Sequence, residues 1–130
     1  MVVLTTCIAL AACVNEESIK VSKDDIDYAV NEIKRYDEVI VANISIEEHI
    51  IFCILSVDSS VSITEKRQLG EEFAKLLSTR ISDVYNIKAP NENTFGKLYD
   101  IYTLNIAIGT ENDADIIFGG KGSNSSQVTW

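Results

Sequence analysis

The chain has 130 residues, 46% of them hydrophobic, and its 20 acidic and 11 basic residues give a formal net charge of −9. This length suits one domain with its own core, and the low content of proline and glycine argues against a disordered chain. The sequence shows no basic face, so nucleic acid is not an expected partner. Cys7, Cys13 and Cys53 form no Cys-x-x-Cys pair or Cys/His cluster, so neither a zinc site nor any cofactor is expected.

The N-terminal segment ends in a motif that predicts its location. Val2 to Ala12 is almost entirely apolar, and Leu10-Ala11-Ala12-Cys13 closes the run. An aliphatic residue, two small residues and a cysteine resemble the lipobox of bacterial lipoprotein precursors. The resemblance implies cleavage before Cys13 and acylation of Cys13. It therefore implies a lipid that anchors the protein to the cell membrane, on its extracytoplasmic face.

On this interpretation, residues 1–12 are a removed signal peptide, residues 13–21 are a lipid-anchored tether and residues 22–130 are a single domain. The apolar run is too short for a transmembrane helix, which needs about 20 residues. No Lys or Arg precedes Lys20, whereas a signal peptide starts with positive charge, so we expect the true start upstream of Met1. The alternative is an unlipidated soluble protein in which Val2–Cys13 forms a buried strand or short helix.

Two segments carry the start signals and spacing of amphipathic helices. Ser22 with Asp25, and Ser62 with Glu65, have the spacing of N-terminal capping boxes. The apolar stripe of the first helix consists of Ile26, Ala29, Val30 and Ile33. That of the second consists of Leu69, Phe73, Leu76, Leu77, Ile81 and Val84. Gly70 within the second helix suggests a close approach to the sheet.

The segment between the helices has the period of two that is typical of strands. Every second residue from 40 to 46 is apolar, which predicts a strand with one apolar face formed by Ile40, Ala42, Ile44 and Ile46. Glu47-Glu48 is then the only polar break before His49 to Val57, where both faces are apolar. We expect a tight hairpin whose second strand is central in the sheet. Because neither glutamate favours positive φ, a longer or bulged turn is the alternative.

The remainder of the chain predicts further strands. Leu98 to Ile108 is expected to be the third strand and Asp115 to Phe118 a short fourth strand, and Gln127 to Trp130 can pair back as an edge strand. The glycine-rich stretch from Phe118 to Ser123 lacks the pattern of a phosphate loop and is expected to be a turn.

The predicted order is therefore α-β-β-α-β-β, with a final β as an option. Helices separated by antiparallel hairpins predict an α+β two-layer sandwich. In that fold an antiparallel sheet of four to five strands carries two helices on one face.

The sequence offers few groups for catalysis. His49 is the only histidine, and it lies at a predicted strand edge without a spacing motif that would supply a nucleophile. Asp113 and Asp115 carry hard oxygen ligands of the kind that Ca²⁺ uses, but the twelve-residue loop of a calcium site is missing. We therefore expect no catalytic residue and no metal. A metal-assisted hydrolase that uses Asp113, Asp115 and His49 remains the enzymatic alternative.

Five aromatic residues cluster around the second loop and the last strands. They are Tyr85, Phe95, Tyr99, Tyr102 and Trp130. Exposed Tyr and Trp carry much of the binding energy of protein interfaces, so these residues are a candidate interaction surface, with core packing as the alternative. The sequence thus predicts a membrane-anchored lipoprotein that acts as a non-enzymatic interaction or accessory domain of the bacterial envelope, with a protein partner there.

Overall fold

The structure is a computed structural model that describes residues 18–111 and 115–130. In chain order its elements are α1 (Lys23–Ile33), β1 (Val39–Glu47), β2 (Ile50–Val57), α2 (Ile63–Tyr85), α3 (Leu98–Ile101), β3 (Thr103–Thr110) and β4 (Ile117–Lys121). The predicted order α-β-β-α-β-β is confirmed, with the single-turn helix α3 as an addition. The fold is α+β.

Both long helices begin at the predicted capping boxes. The Ser22 hydroxyl accepts a hydrogen bond from the Asp25 amide at 3.2 Å, and the Asp25 carboxylate accepts one from the Ser22 amide at 2.9 Å. Ser62 and Glu65 repeat this exchange at the start of α2. These bonds satisfy amides that a helix leaves unpaired at its first turn. Local sequence is therefore enough to fix where each helix starts.

The four strands lie in the order β1-β2-β3-β4, and the sheet is mixed. The outer pairs are antiparallel, but β2 and β3 are parallel, so the prediction of an antiparallel sheet was wrong at its centre. The reason is α2, which runs back over the sheet after β2 and brings the chain to the end where β2 began. A strand that follows such a helix must run parallel to the strand before it.

The first hairpin has a tight turn as predicted, but the turn lies one residue later than the predicted Glu47-Glu48. Glu47 pairs with Ile50, which leaves Glu48 and His49 as a two-residue turn, and Glu48 has a φ of 55°. The pairing of β1 with β2 shifts register between Val39 and Val41, at the end of the hairpin away from the turn. As predicted, β2 is an internal strand.

Three predicted segments near the C-terminus differ from the structure. The expected third strand begins at Thr103 rather than Leu98, because Leu98–Ile101 forms α3. Phe118 to Lys121 belongs to β4 rather than to a turn. The segment after residue 126 pairs with the sheet only through one bridge, in which Gly120 and Thr129 exchange two backbone hydrogen bonds.

The core lies between one face of the sheet and the two long helices. Helix α2 packs on β2 and β3, and α1 packs on α2 and β1. A Cβ at Gly70 would lie 2.5 Å from Ile108 Cδ1 and 2.9 Å from Ile106 Cγ2, so glycine here allows the close approach that was predicted. Among the described residues, no helix has the length and apolar character needed to cross a bilayer.

The folded domain begins before the predicted boundary at residue 22. Ile19 is buried, and its carbonyl accepts a hydrogen bond from the Tyr102 hydroxyl at 3.0 Å. The Tyr85 hydroxyl bonds the Lys20 amide and carbonyl, each at 3.0 Å. The last residues of the predicted tether are therefore part of the domain.

Candidate functional site

The residues of the predicted lipidation motif are not among those that the structure describes. Leu10, Ala11, Ala12 and Cys13 all lie before residue 18, and Asp113 lies in the gap between residues 111 and 115. Cleavage and lipidation at Cys13, and any role of Asp113, remain predictions from the sequence.

The structure separates the other two members of the hypothetical hydrolase site. His49 is exposed in the turn before β2, whereas Asp115 precedes β4 at the opposite end of the sheet, where its carbonyl accepts a hydrogen bond from Lys66. Eight residues of β2 separate these ends, a distance of roughly 25 Å. A site that uses His49 and Asp115 together is therefore wrong. The described residues contain no group of three His, Cys, Asp or Glu side chains that could hold a metal.

The predicted aromatic surface is wrong for three of its five members. Phe95, Tyr99 and Tyr102 are buried, and the Tyr99 hydroxyl donates to the Ala74 carbonyl at 2.8 Å. Tyr85 and Trp130 are half-buried. Tyr85 binds Lys20, while the Trp130 indole donates to Glu71 at 3.1 Å and packs beside Gly119. The sequence could not show that these aromatic side chains are buried, because the elements that cover them are distant in sequence.

Cys53, the cysteine in β2, behaves as a core side chain. It is fully buried beside Tyr99, and burial raises the pKa of its thiol to about 12, although a hydrogen bond with Tyr99 acts in the opposite direction. A thiol with so high a pKa stays protonated at neutral pH and is a poor nucleophile. This agrees with the prediction that Cys53 is a small buried hydrophobe.

The feature that the sequence analysis missed is the sheet face opposite the helices. Its side chains are the alternate strand residues that point away from the core, and several of them are large and apolar. Phe118 is 68% exposed, Val41 is 54% exposed and Ile54 is 43% exposed. We call this surface the open face and define it by Val41, Phe52, Ile54, Ala107 and Phe118.

The strand register brings these residues together. Ile54 pairs with Ala107, and Ala107 pairs with Phe118, so the three form one continuous apolar row across β2, β3 and β4. Phe52 lies next to Ile54 on the same face and pairs with Asn105. A cleft of about 230 Å³ lies between Phe118 and the β2 side chains. The open face is therefore a shaped apolar surface rather than a scatter of single residues.

The charges around the open face are arranged at its ends. The strand residues that share it are neutral except Glu47, which lies at its border. Glu47 and Glu48 mark the end near the hairpin turn, and Asp58 and Glu111 mark the end where β2 and β3 finish. An uncharged surface within a chain of net charge −9 therefore lies between two acidic ends.

One feature of the sequence relates to the open face, namely the apolar residues on both sides of β2. The apolar character of β2 on both sides indicated a central strand, which is correct. Both long helices lie on the same face of the sheet, so among the described residues they leave the other side of β2 uncovered.

The chain was also compared with known proteins. No protein-family model, curated protein or solved structure matched it.

Proposed function

We propose that the chain is a non-enzymatic interaction domain, held at the extracytoplasmic face of the cell membrane by a lipid on Cys13, that binds a partner protein through its open face. The observation that supports the binding role is the continuous apolar row of Ile54, Ala107 and Phe118, uncovered by any of the described residues. Large exposed apolar patches on soluble domains mark interaction sites.

The charges around the open face favour one kind of partner. A bound segment would meet neutral side chains at its centre and the carboxylates of Glu47, Glu48, Asp58 and Glu111 towards its ends. Complementary charge steers partners and rejects wrong ones. We therefore expect the partner segment to be apolar in the middle and to carry Lys or Arg on both sides. A second copy of this chain is a poorer occupant, because a face-to-face dimer would bring like charges together.

The size of the open face indicates a segment rather than a whole domain. Four strands about 4.8 Å apart and six residues long cover roughly 300–400 Å². A standard interface buries about 800 Å² on each partner, so the open face alone gives modest affinity. Attachment of both proteins to one membrane would raise their effective concentration and offset that weakness.

The anchoring part of the proposal rests on the lipobox and is supported by the position of Ile19. Five residues separate Cys13 from Ile19, which Tyr102 binds in the core. Even a fully extended chain of this length spans only about 20 Å. A lipid on Cys13 would therefore hold the domain close to the bilayer, within reach of membrane proteins.

Replacement of single cysteines tests the anchor. Cells that express Cys13→Ala should show no incorporation of a fatty-acid analogue and should release the protein from membranes. The Cys7→Ala variant is the matched control, since it removes a cysteine of the same segment outside the motif, and it should retain both properties. Equal labelling of the Cys13→Ala variant would show that the anchor is wrong.

Synthetic peptides test the open face separately. The probe is a peptide with six apolar residues between two lysines at each end, and the control replaces the lysines by glutamates. We expect only the basic peptide to bind, and we expect Phe118→Ser to weaken binding at least tenfold. Ile63→Ser, at an exposed position on the helical layer, should leave binding unchanged. Equal binding of both peptides, or a wild-type dimer that Phe118→Ser dissociates, would contradict the proposed partner.

A further inference from the structure

A second surface feature lies on the helix side of β4, away from the open face. Lys121, the last residue of β4, is only 3% exposed. Its ammonium donates to the Tyr99 carbonyl at 2.7 Å and to the Gly122 carbonyl at 3.2 Å. A lysine ammonium has three protons. The described residues supply acceptors for two of them.

The charge of Lys121 has no direct counterion in the described part of the chain. The ion pairs of Lys23 with Asp27, Arg35 with Glu32 and Arg80 with Asp25 do not involve Lys121. Burial lowers the pKa of Lys121, and the charge of Asp100 opposes that effect from a greater distance. A buried ammonium without a paired anion is costly, so a group that offers negative charge would relieve the cost.

Lys121 forms part of a small cleft that opens to solvent. The cleft has a volume of about 90 Å³. Its exposed mouth carries Lys88, Asp100 and Ser126, and buried residues that include Lys121 line its interior. A cavity that holds one water molecule has roughly 10–15 Å³ of such volume, so the cleft has room for a small ligand.

A second polar group in the cleft also lacks a partner. Thr94 Oγ1 is buried and makes no hydrogen bond with any described residue. The Thr94 backbone is fixed by the adjacent turn, since its amide donates to Asn91 Oδ1 at 2.9 Å and its carbonyl accepts from the Asn91 amide at 3.1 Å. Buried hydroxyls are normally hydrogen-bonded. The backbone of Thr94 therefore has a fixed position at the lining of the lysine cleft.

We propose that this cleft binds a small oxyanion, a carboxylate or a phosphate group, between the Lys121 ammonium and the Thr94 hydroxyl. Both groups are hydrogen-bond donors, and Lys88 lines the mouth of the cleft. A cation would meet the ammonium of Lys121, which favours an anion as the ligand. Since Asp100 repels negative charge, a singly charged anion fits better than a doubly charged one.

Thermal unfolding at constant ionic strength tests the site with sodium acetate, sodium phosphate and sodium chloride as probes. A ligand that binds only the folded state raises Tm. We expect acetate, phosphate or both to raise Tm above the value in chloride. A rise with acetate alone identifies a carboxylate ligand, and a rise with phosphate alone identifies a phosphate ligand.

Three variants locate the effect, and a fourth controls for charge. Lys121→Met should abolish the rise in Tm, Thr94→Val should weaken anion affinity about fivefold, and Asp100→Asn should strengthen it severalfold. Lys34→Met, at an exposed position after α1, changes the net charge equally and should leave the rise intact. If Lys121→Met does not fold, the opposite effects of Thr94→Val and Asp100→Asn still decide. An equal rise in chloride, or a rise that none of these variants alters, shows that the cleft holds only water.

Discussion

The hydroxyl of Tyr102 donates a hydrogen bond to the carbonyl of Ile19 at 3.0 Å, across 83 positions of sequence. Both residues are buried, so the bond closes the start of the domain onto the segment that enters β3. Tyr85 supports the same region by bonding both backbone groups of Lys20. This arrangement fixes the point at which the predicted tether leaves the domain.

Replacement of Tyr102 by Phe should loosen that point. The variant leaves the Ile19 carbonyl buried without its partner, which costs about 1–3 kcal/mol. We expect a lower free energy of unfolding and faster tryptic cleavage after Lys20. Tyr36→Phe removes an exposed hydroxyl that bonds Glu72, and it should leave cleavage after Lys20 unchanged. Unaltered cleavage in Tyr102→Phe would argue against the contact with Ile19.

Asp25 should give the protein a characteristic sensitivity to acid. Burial acts to raise the pKa of Asp25, but hydrogen bonds from Ser22 and Arg80 and the charge of Arg80 outweigh burial and lower it. A carboxyl whose pKa is lower in the folded state stabilises the fold above its unfolded pKa of about 4. That stabilisation disappears as the pH falls through the lower, folded pKa.

The Asp25→Asn variant tests this linkage. It keeps the shape of the side chain and removes its charge, so we expect a loss of about 1–2 kcal/mol at neutral pH. The difference from wild type should shrink as the pH falls from 4 towards the folded pKa, as measured by urea unfolding. Asp27→Asn, on the same helix but in an exposed pair with Lys23, should cost only a few tenths of a kcal/mol. A difference that does not change with pH would contradict the linkage.

Glu48 is a position where substitution should stabilise the protein. Its φ of 55° lies in the left-handed region, which costs a residue with a Cβ about 1–2 kcal/mol relative to glycine. Glu48→Gly should therefore raise the free energy of unfolding by about 1 kcal/mol. Asn86, the C-cap of α2, has a φ of 54°, and because asparagine tolerates this region, Asn86→Gly should gain less. An equal gain at both sites would contradict this explanation.

The parts of the fold that depend on neighbouring residues were predictable. The capping boxes at Ser22 and Ser62, the alternation in β1 and the apolar run of β2 are local, so the helix starts and the first hairpin follow from the sequence. The direction of β3 relative to β2 depends on the path of α2 over the sheet, and no local pattern contains that path. The start of β3 was missed for a related reason, since Leu98 and Tyr99 are buried in a helical turn and resemble strand residues in sequence.

The candidate sites were predictable only in part. The apolar residues of the open face were visible in β2, but the row that Ile54 forms with Ala107 and Phe118 depends on the parallel pairing of β2 with β3, which was not predicted. Gly119 gave no sign that Trp130 and Val128 pack against it on the core face of β4. Lys121 was also unrecognisable as a buried residue, because lysines are rarely buried and its partners are backbone carbonyls.

The contact between α2 and the sheet at Gly70 gives a further prediction. A Cβ there would lie 2.5 Å from Ile108 Cδ1 and 2.9 Å from Ile106 Cγ2, and 3.1 Å from the Trp130 ring. Alanine gains about 1 kcal/mol in helix propensity, but overpacking of a filled core costs about 1–3 kcal/mol. We expect Gly70→Ala to be destabilising on balance, as measured by urea unfolding. Gly122→Ala is the control, because a Cβ there meets no atom within 4 Å, and it should be neutral or slightly stabilising.

A double-mutant cycle shows whether Ile108 causes that cost. Ile108→Val removes the Cδ1 atom nearest to the new methyl group, so the combined variant should be more stable than the sum of the two single changes predicts. We expect an interaction energy of about 0.5–1.5 kcal/mol, within the range seen for residues in contact. If the two costs simply add, the methyl group does not meet Ile108, and the close approach of α2 to β3 at Gly70 is wrong.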